Sequence, residues 1–204
     1  QWITILSGGN KELKFDYIIN AVNEVVETVG SRNLEDICSY YKILIRRHDL
    51  QRKLKAYFYY NPADEVPIIV IDSNIQEIFY QVLMAHELGH YFLHRQTGMV
   101  HPFVFQEFEL LEAEEKNAIQ DEEFEANMFA SELLIEDEAA LEALHSHAFF
   151  NAASILKVPP ALLDLKLRTF SHKGYTAYSS NYAKGNYLKE DKAAYGSADY
   201  NEYC

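Results

Sequence analysis

Two histidines four residues apart, with a glutamate directly after the first, lie inside an apolar stretch of this chain as His86, Glu87 and His90. Apolar residues recur at three- and four-residue steps from about residue 74 to residue 94, which predicts a helix. Residues four apart on a helix lie one turn above each other, so both imidazoles can reach one metal ion. On a helical wheel the two histidines fall on the apolar side. The chain must therefore fold around this helix, with both imidazoles facing the interior.

A metal ion held here with one open coordination position would make the segment catalytic. Imidazole and carboxylate groups are the usual ligands of zinc, which lowers the pKa of a bound water to about 7. Glu87 lies about 100° round the helix from His86, where its carboxylate can accept that proton. Gly89 leaves room for another backbone or for a substrate against this helix. The segment predicts a zinc-dependent peptidase with His86 and His90 as ligands and Glu87 as catalytic base, although buried helical histidines are often only core residues.

The third ligand is predicted from a second helix, about 118 to 135, whose first turns are acidic. Its apolar side includes Glu122 and Glu123 within about 60° of the centre, whereas Glu125 lies about 100° away. Asn127, one turn after Glu123, lies on the same inward side and can hold a histidine or carboxylate in place. We therefore predict Glu123 as the third ligand and Asn127 as an outer-shell partner, and we assign Glu125 to a solvated face.

His94 lies one turn beyond His90, at about 80° from His86 and close to the side of Glu87. It is predicted to hydrogen-bond in the outer shell of the metal site, although a packed core histidine fits the pattern equally well. A third histidine ligand six residues after the second is excluded, because Gln96 occupies that position.

The other segments predict an α+β fold, with a small antiparallel β-sheet packed on the histidine-bearing helix and a mainly helical C-terminal part. Ser73 or Asn74 can cap the start of the histidine-bearing helix. Pro67 confines its strand to a sheet edge or to the first strand position, and an edge strand there could pair with an extended substrate. The remaining predicted elements are a helix over 11–29, a short helix capped by Asn33, a strand from Ile43, a hairpin of 52–60 with 66–71, and helices over 137–147 and 151–170.

Size and charge narrow the function classes. With 204 residues and 49% apolar side chains, the chain suits one domain, predicted at 1–170 and followed by a tyrosine-rich tail of open role at 171–204. A formal charge of -13 disfavours direct binding to nucleic acid and favours a neutral or basic protein partner. The two cysteines are too few for a disulfide-stapled secreted domain, and the longest apolar runs are far below the roughly 20 residues of a membrane span. A cytoplasmic protein with no membrane association is predicted.

The segments HELGHYFLH at 86–94 and EFEANMFASELL at 123–134 resemble the ImmA/IrrE family of metallopeptidases, in particular the ImmA proteases of integrative elements and phages. The likeness also takes in 33–50, the predicted hairpin and 158–170, and is therefore much more specific than the zinc pentapeptide alone.

This resemblance implies a zincin-like fold in which His86, His90 and Glu123 bind the metal and Glu87 is the catalytic base. Glu123 corresponds to the glutamate of the family's E-x-x-A-x-x-F-A pattern. The resemblance also implies the substrate class, since the family cuts helix-turn-helix repressors of mobile elements or stress-response genes.

Two other functions compete with this prediction. The chain could be a regulatory protein that inactivates a repressor by docking, with catalysis dispensable. It could also be a transcription factor that uses 151–170, which has a helix-turn-helix cadence, although Asp164 interrupts its second helix. Replacing Glu87 separates the first rival from a protease, and replacing Lys166 and Arg168 tests the second.

Overall fold

The computed structural model of the protein describes residues 11–51, 54–61, 66–94, 101–103 and 118–175. Helices dominate this part of the chain; three strands of a small sheet lie between the second and third helices in the sequence, and the fourth strand follows the third helix. The elements are α1 Lys11–Val29, α2 Leu34–Tyr40, β1 Leu44–His48, β2 Ala56–Asn61, β3 Val66–Asp72, α3 Glu77–Gly89, a π-helical turn His90–His94, β4 His101–Phe103, α4 Ala118–Leu134, α5 Asp137–Ser146, α6 Phe149–Ile155 and α7 Pro160–His172. The α+β class and the helical C-terminal part are confirmed. Most of the predicted tyrosine-rich tail lies outside the described residues.

The sheet has four strands in the order β1-β3-β2-β4. The predicted hairpin is present as the antiparallel pair β2 and β3, in which Phe58 lies opposite Ile69. β4 also runs antiparallel to β2. The sheet is mixed rather than wholly antiparallel, because β1 runs parallel to β3, with Leu44 opposite Ile68. A parallel neighbour requires a crossover connection, and here β2 is inserted between the two parallel strands along the chain.

The prediction that Pro67 places its strand at a sheet edge is wrong. β3 lies between β1 and β2, so it is not available to pair with an extended substrate. Pro67 is the second residue of β3 and lies opposite Tyr60 of β2, whereas the pairing with β1 starts one residue later, at Ile68. The proline therefore lies where β3 has only one neighbouring strand, and its missing N–H removes no hydrogen bond to β1.

The histidine-bearing helix α3 starts later than predicted. Its cap position is Gln76, and neither Ser73 nor Asn74 caps it. Asn74 instead belongs to a turn in which its backbone N–H donates to Oδ1 of Asp72 at 3.1 Å. The same side chain types favour such local turns and helix caps, which explains the wrong assignment. The helical path does continue to His94 as predicted, but it widens into a π-helical turn from His90 onward.

α3 packs against β2, β3 and α4, so it lies in the middle of the molecule. Its residues from Val82 to Gly89 are all buried, including both polar residues of that stretch, His86 and Glu87. Phe129 of α4 is also fully buried and stacks on Phe92 of the π-helical turn, with ring centroids 5.6 Å apart. Each such large apolar side chain contributes about 1.5–3 kcal/mol on burial. This packing holds the two motif helices together.

The C-terminal helices are joined to α4 by a buried ionic cluster. The ammonium group of Lys166 in α7 lies 3.0 Å from a carboxylate oxygen of Glu132 and 2.6 Å from one of Asp137. Lys173, just after α7, lies 2.8 Å from an oxygen of each of the same two acids. Thr169 donates a hydrogen bond to the other oxygen of Glu132. The far end of α4 is therefore fixed to α5 and α7 by paired charges, as buried charges require.

The segment 151–170 forms helices α6 and α7, as predicted, but the packing argues against a DNA-reading role. Lys166 is only 1% exposed, so its charge cannot reach a phosphate group. Arg168 hydrogen-bonds to Asp164 one turn earlier, at 3.0 Å. α7 is thus a core helix of the fold. Within the part of the chain described above, no helix is both long and apolar enough to cross a membrane.

Candidate metal centre

Three side chains from two helices converge on one point. His86 Nε2 lies 3.0 Å from His90 Nε2 and 3.1 Å from one carboxylate oxygen of Glu123, and His90 Nε2 lies 3.3 Å from the other oxygen. Ligands bound tetrahedrally at about 2.0–2.1 Å from a zinc ion are about 3.3 Å apart. The separations found here are close to that value. Among the described residues, this is the only cluster of at least three histidine, cysteine, aspartate or glutamate side chains whose ligand atoms lie close enough together to hold one metal ion.

The three groups are withdrawn from solvent. The side chains of both histidines are 1% exposed and that of Glu123 is 12% exposed. Burial raises the pKa of Glu123, but hydrogen bonds to His86 and His90 and their charges outweigh burial, so the pKa lies below its ordinary value. A buried carboxylate held ionised beside two imidazole nitrogens is a donor set that suits a divalent cation such as zinc.

The close approach of α3 and α4 brings the ligands together. A Cβ atom placed on Gly89 would lie 2.8 Å from the Cα of Ala126 and 3.0 Å from its carbonyl oxygen. Gly89 directly precedes His90, one of the predicted ligands, and Ala126 lies one helical turn after Glu123. The room that the sequence predicts at Gly89 is therefore filled by the backbone of the helix that carries the third predicted ligand.

Both histidines are also contacted at their second ring nitrogen. His86 Nδ1 lies 2.9 Å from Oδ1 of Asn127, and His90 Nδ1 lies 3.1 Å from Nδ1 of His94. Partners of this kind fix the orientation and tautomer of metal-binding histidines. The structure thus brings Asn127 and His94, the two predicted outer-shell residues, to the two predicted histidine ligands.

Glu125 is the residue of this site that the sequence reasoning missed. It is not one of the three converging groups, in keeping with the prediction that it is the less favoured ligand, but it is not on a solvated face. Its Oε2 lies 3.0 Å from His94 Nε2, and its side chain is only 16% exposed. A signal was present in the sequence, since a buried His94 needs a partner and the acidic run at 121–125 is the nearest source on the neighbouring helix.

Glu87, the predicted catalytic base, is fully buried beside His86 on α3. It directly follows His86 in the buried part of α3, and its role as catalytic base stays a prediction. Glu122, the alternative third ligand, is half-buried and is not part of the group that can hold a metal ion among the described residues.

Comparison with known proteins yields one family and two relatives. The model of a peptidase family, M78, described as the IrrE N-terminal-like domain, matches residues 38–167, which include both motif helices. Metallopeptidase ImmA of Bacillus subtilis (strain 168) is 31% identical over 166 residues, covering 78% of this chain and 90% of that protein. Uncharacterized immunity region protein 2 of Bacillus phage phi105 is 26% identical over 147 residues, covering 72% of this chain and 86% of that protein.

Proposed function

The chain belongs to the ImmA/IrrE family of metallopeptidases, and on this premise we propose that it is a zinc-dependent endopeptidase that cuts a helix-turn-helix repressor of a mobile element or phage. The observation that carries the catalytic part is the convergence of His86, His90 and Glu123, whose ligand atoms lie 3.0 to 3.3 Å from one another. Two neutral imidazoles and one carboxylate fill three positions of a tetrahedral zinc site and leave the fourth open.

The proposed mechanism assigns one task to each side chain. His86, His90 and Glu123 would hold the ion, which when bound supplies Lewis-acid chemistry at neutral pH. Glu87 would take a proton from the attacking water and deliver it to the amide nitrogen of the leaving segment. The position of Glu87 supports this role, because it directly follows the predicted ligand His86 in the buried part of α3.

The proposed substrate rests on the resemblance and on charge. One relative is named as a metallopeptidase and another as an immunity region protein of a phage. DNA-binding domains carry basic surfaces, and a chain with a formal charge of -13 attracts such a partner. A repressor acts on DNA in the cytoplasm, and we propose the same location for the peptidase.

The test is to incubate the purified protein with the helix-turn-helix repressor encoded beside its gene and to identify fragments by mass spectrometry. The wild-type protein should contain one zinc ion per chain and cut the repressor at one position. Glu87→Gln should retain the zinc and lose at least about 100-fold in cleavage rate, because the proton acceptor is gone. Glu123→Ala should lose both zinc and cleavage, while Glu122→Ala should lose neither.

The docking alternative predicts a different outcome for the same variant. If Glu87→Gln releases a repressor-controlled reporter as well as the wild-type protein does, with the repressor intact, docking explains the function and peptide hydrolysis does not.

A further inference from the structure

We propose that Glu125 is a positioning residue of the metal centre: acting through His94, it determines which ring nitrogen of His90 carries a hydrogen and which is left to bind the metal. The inference rests on the proposed function only in requiring that the site holds a metal ion. It adds a third layer to the site, behind the ligands and their direct partners.

The contacts form one continuous line of side chains. Glu125 Oε2 lies 3.0 Å from His94 Nε2, His94 Nδ1 lies 3.1 Å from His90 Nδ1, and His90 Nε2 faces the other ligands. An ionised carboxylate can only accept hydrogen bonds, so His94 Nε2 must donate to Glu125. In the neutral tautomer that this proposal assigns to His94, the hydrogen on Nε2 is the only ring N–H, so Nδ1 is an acceptor.

The direction of the first hydrogen bond fixes the second. Because His94 Nδ1 accepts, His90 Nδ1 must donate to it. In the metal-bound protein, the lone pair of His90 Nε2 then points at the position shared with His86 and Glu123, as a metal ligand requires. With the opposite tautomer, Nε2 of His90 would carry a hydrogen and could not bind a metal ion.

Because both histidines are buried, protein groups rather than water determine which of their ring nitrogens carry a hydrogen. His94 is 8% exposed and His90 is fully buried, so water is poorly placed to supply a substitute acceptor. The π-helical turn from His90 to His94 holds the two rings with centroids 5.3 Å apart. π-helical insertions of this kind are frequent at functional sites.

The two histidine ligands are thus oriented by different means. His86 is contacted by the side-chain oxygen of Asn127, a direct partner on α4. His90 is contacted by another histidine, which by itself could either donate or accept. His94 needs a group that only accepts, and Glu125 is that group. This is why we assign the role to Glu125 and not to His94 alone.

The test measures zinc affinity by competition with a chelator, together with thermal unfolding of the metal-free protein. Glu125→Met removes the acceptor at similar length, and we expect zinc to bind about 10- to 100-fold more weakly. Glu125→Gln keeps an acceptor oxygen, so we expect it to retain most of the affinity. Glu122→Gln removes the same charge from the same helix and should bind zinc as the wild-type protein does.

A double-mutant cycle separates the line of hydrogen bonds from a general effect of charge. In a His94→Leu background, Glu125→Met should weaken zinc binding no further. Imidazole ¹⁵N spectra of the zinc-loaded wild-type protein should show His90 protonated at Nδ1 and metal-bound at Nε2. If Glu125→Met fails to fold, Glu125→Ala takes its place in these measurements, because alanine also removes the acceptor.

Three results would overturn the inference: wild-type zinc affinity in Glu125→Met, an undiminished effect of that change in the His94→Leu background, or His90 bound to zinc through Nδ1. Failure of the proposed function gives a different result. A wild-type protein that holds zinc but cuts no repressor would refute the peptidase assignment and leave these measurements, and the role of Glu125, intact.

Discussion

Gly89 of α3 lies directly against the backbone of Ala126 in α4, so close that a Cβ at position 89 would come within 2.8 Å of the Cα of Ala126. This contact lies beside His90 on one helix and one turn from Glu123 on the other. The separation of the two helices at this point therefore determines how far the His90 side chain lies from that of Glu123. No side chain larger than that of glycine fits at position 89 without moving one helix.

Gly89→Ala should consequently separate α3 from α4 near the metal site. We expect a loss of about 1–3 kcal/mol in the free energy of unfolding from overpacking, even though alanine favours a helix more than glycine does. Zinc should bind at least about 10-fold more weakly, as measured by chelator competition. Adding Ala126→Gly should not restore binding, because the closest contacts are with backbone atoms that this change leaves in place. Wild-type stability and affinity in Gly89→Ala would show that the helices can move apart freely.

Asn127 is predicted to act on His86 by accepting a hydrogen bond at its side-chain oxygen, which lies 2.9 Å from His86 Nδ1. Asn127→Asp keeps an acceptor at this place, whereas Asn127→Leu removes it at nearly the same volume. We expect Asn127→Leu to weaken zinc binding about 10- to 100-fold and Asn127→Asp to weaken it much less. Isothermal titration of the metal-free variants checks this, and equal affinities for the two variants would contradict it.

Lys166 should be the more important of the two cations in the ionic cluster at the far end of α4. Lys166→Met removes a fully buried positive charge, so that Lys173 is the one cation of the cluster still paired with Glu132 and Asp137. Breaking a buried ion pair from one side costs about 3–5 kcal/mol, so we expect a loss of about that size in urea unfolding. The matched change Lys173→Met, at a side chain that is 21% exposed, should cost less. A larger loss of unfolding free energy in Lys173→Met than in Lys166→Met would show that burial does not determine how much each lysine stabilises the fold.

Asp137 should make the fold sensitive to acid. Burial raises the pKa of Asp137, but hydrogen bonds and charges from Lys166 and Lys173 outweigh it, so the pKa lies below its ordinary value. The stabilisation from this group is complete above the unfolded value of about 3.9 and is lost as the pH falls towards the lower folded value. Asp137→Asn should therefore be less stable than the wild-type protein at neutral pH. The difference between the two metal-free proteins should shrink as the pH falls below about 4 in urea unfolding.

Local spacing predicted the parts of the site that depend on a single helix. His86 and His90 lie together because residues four apart share a helix face, and Glu123 faces inward because its position relative to the apolar residues of α4 requires it. Glu125 was misassigned for a related reason. A helical wheel gives the position of a residue relative to its own helix only. It cannot show that His94, from the π-helical turn after α3, lies beside the face of α4 that carries Glu125.

The sheet shows the same limit. The strands themselves follow from composition and turn residues, and the pairing of Phe58 with Ile69 follows from a short connection. The pairing of Leu44 with Ile68 brings together residues far apart in the chain, and no local pattern encodes it. The prediction from Pro67 was wrong because β3 can accommodate a proline there only if its pairing with β1 starts after residue 67, and the sequence does not reveal where that pairing starts.

The ionic cluster also bears on where this protein can be shortened. The match to the family model ends at residue 167, yet Thr169, Phe170 and Lys173 lie beyond that point, in contact with Glu132 or within the hydrophobic core. Glu132 and Glu123 are on the same helix. A protein cut at residue 167 would keep every residue of the metal centre and would keep Lys166, but it would lose Thr169 and Lys173, two of the three residues that hold Glu132. We therefore expect the smallest stable unit to extend past the residues that the family model matches.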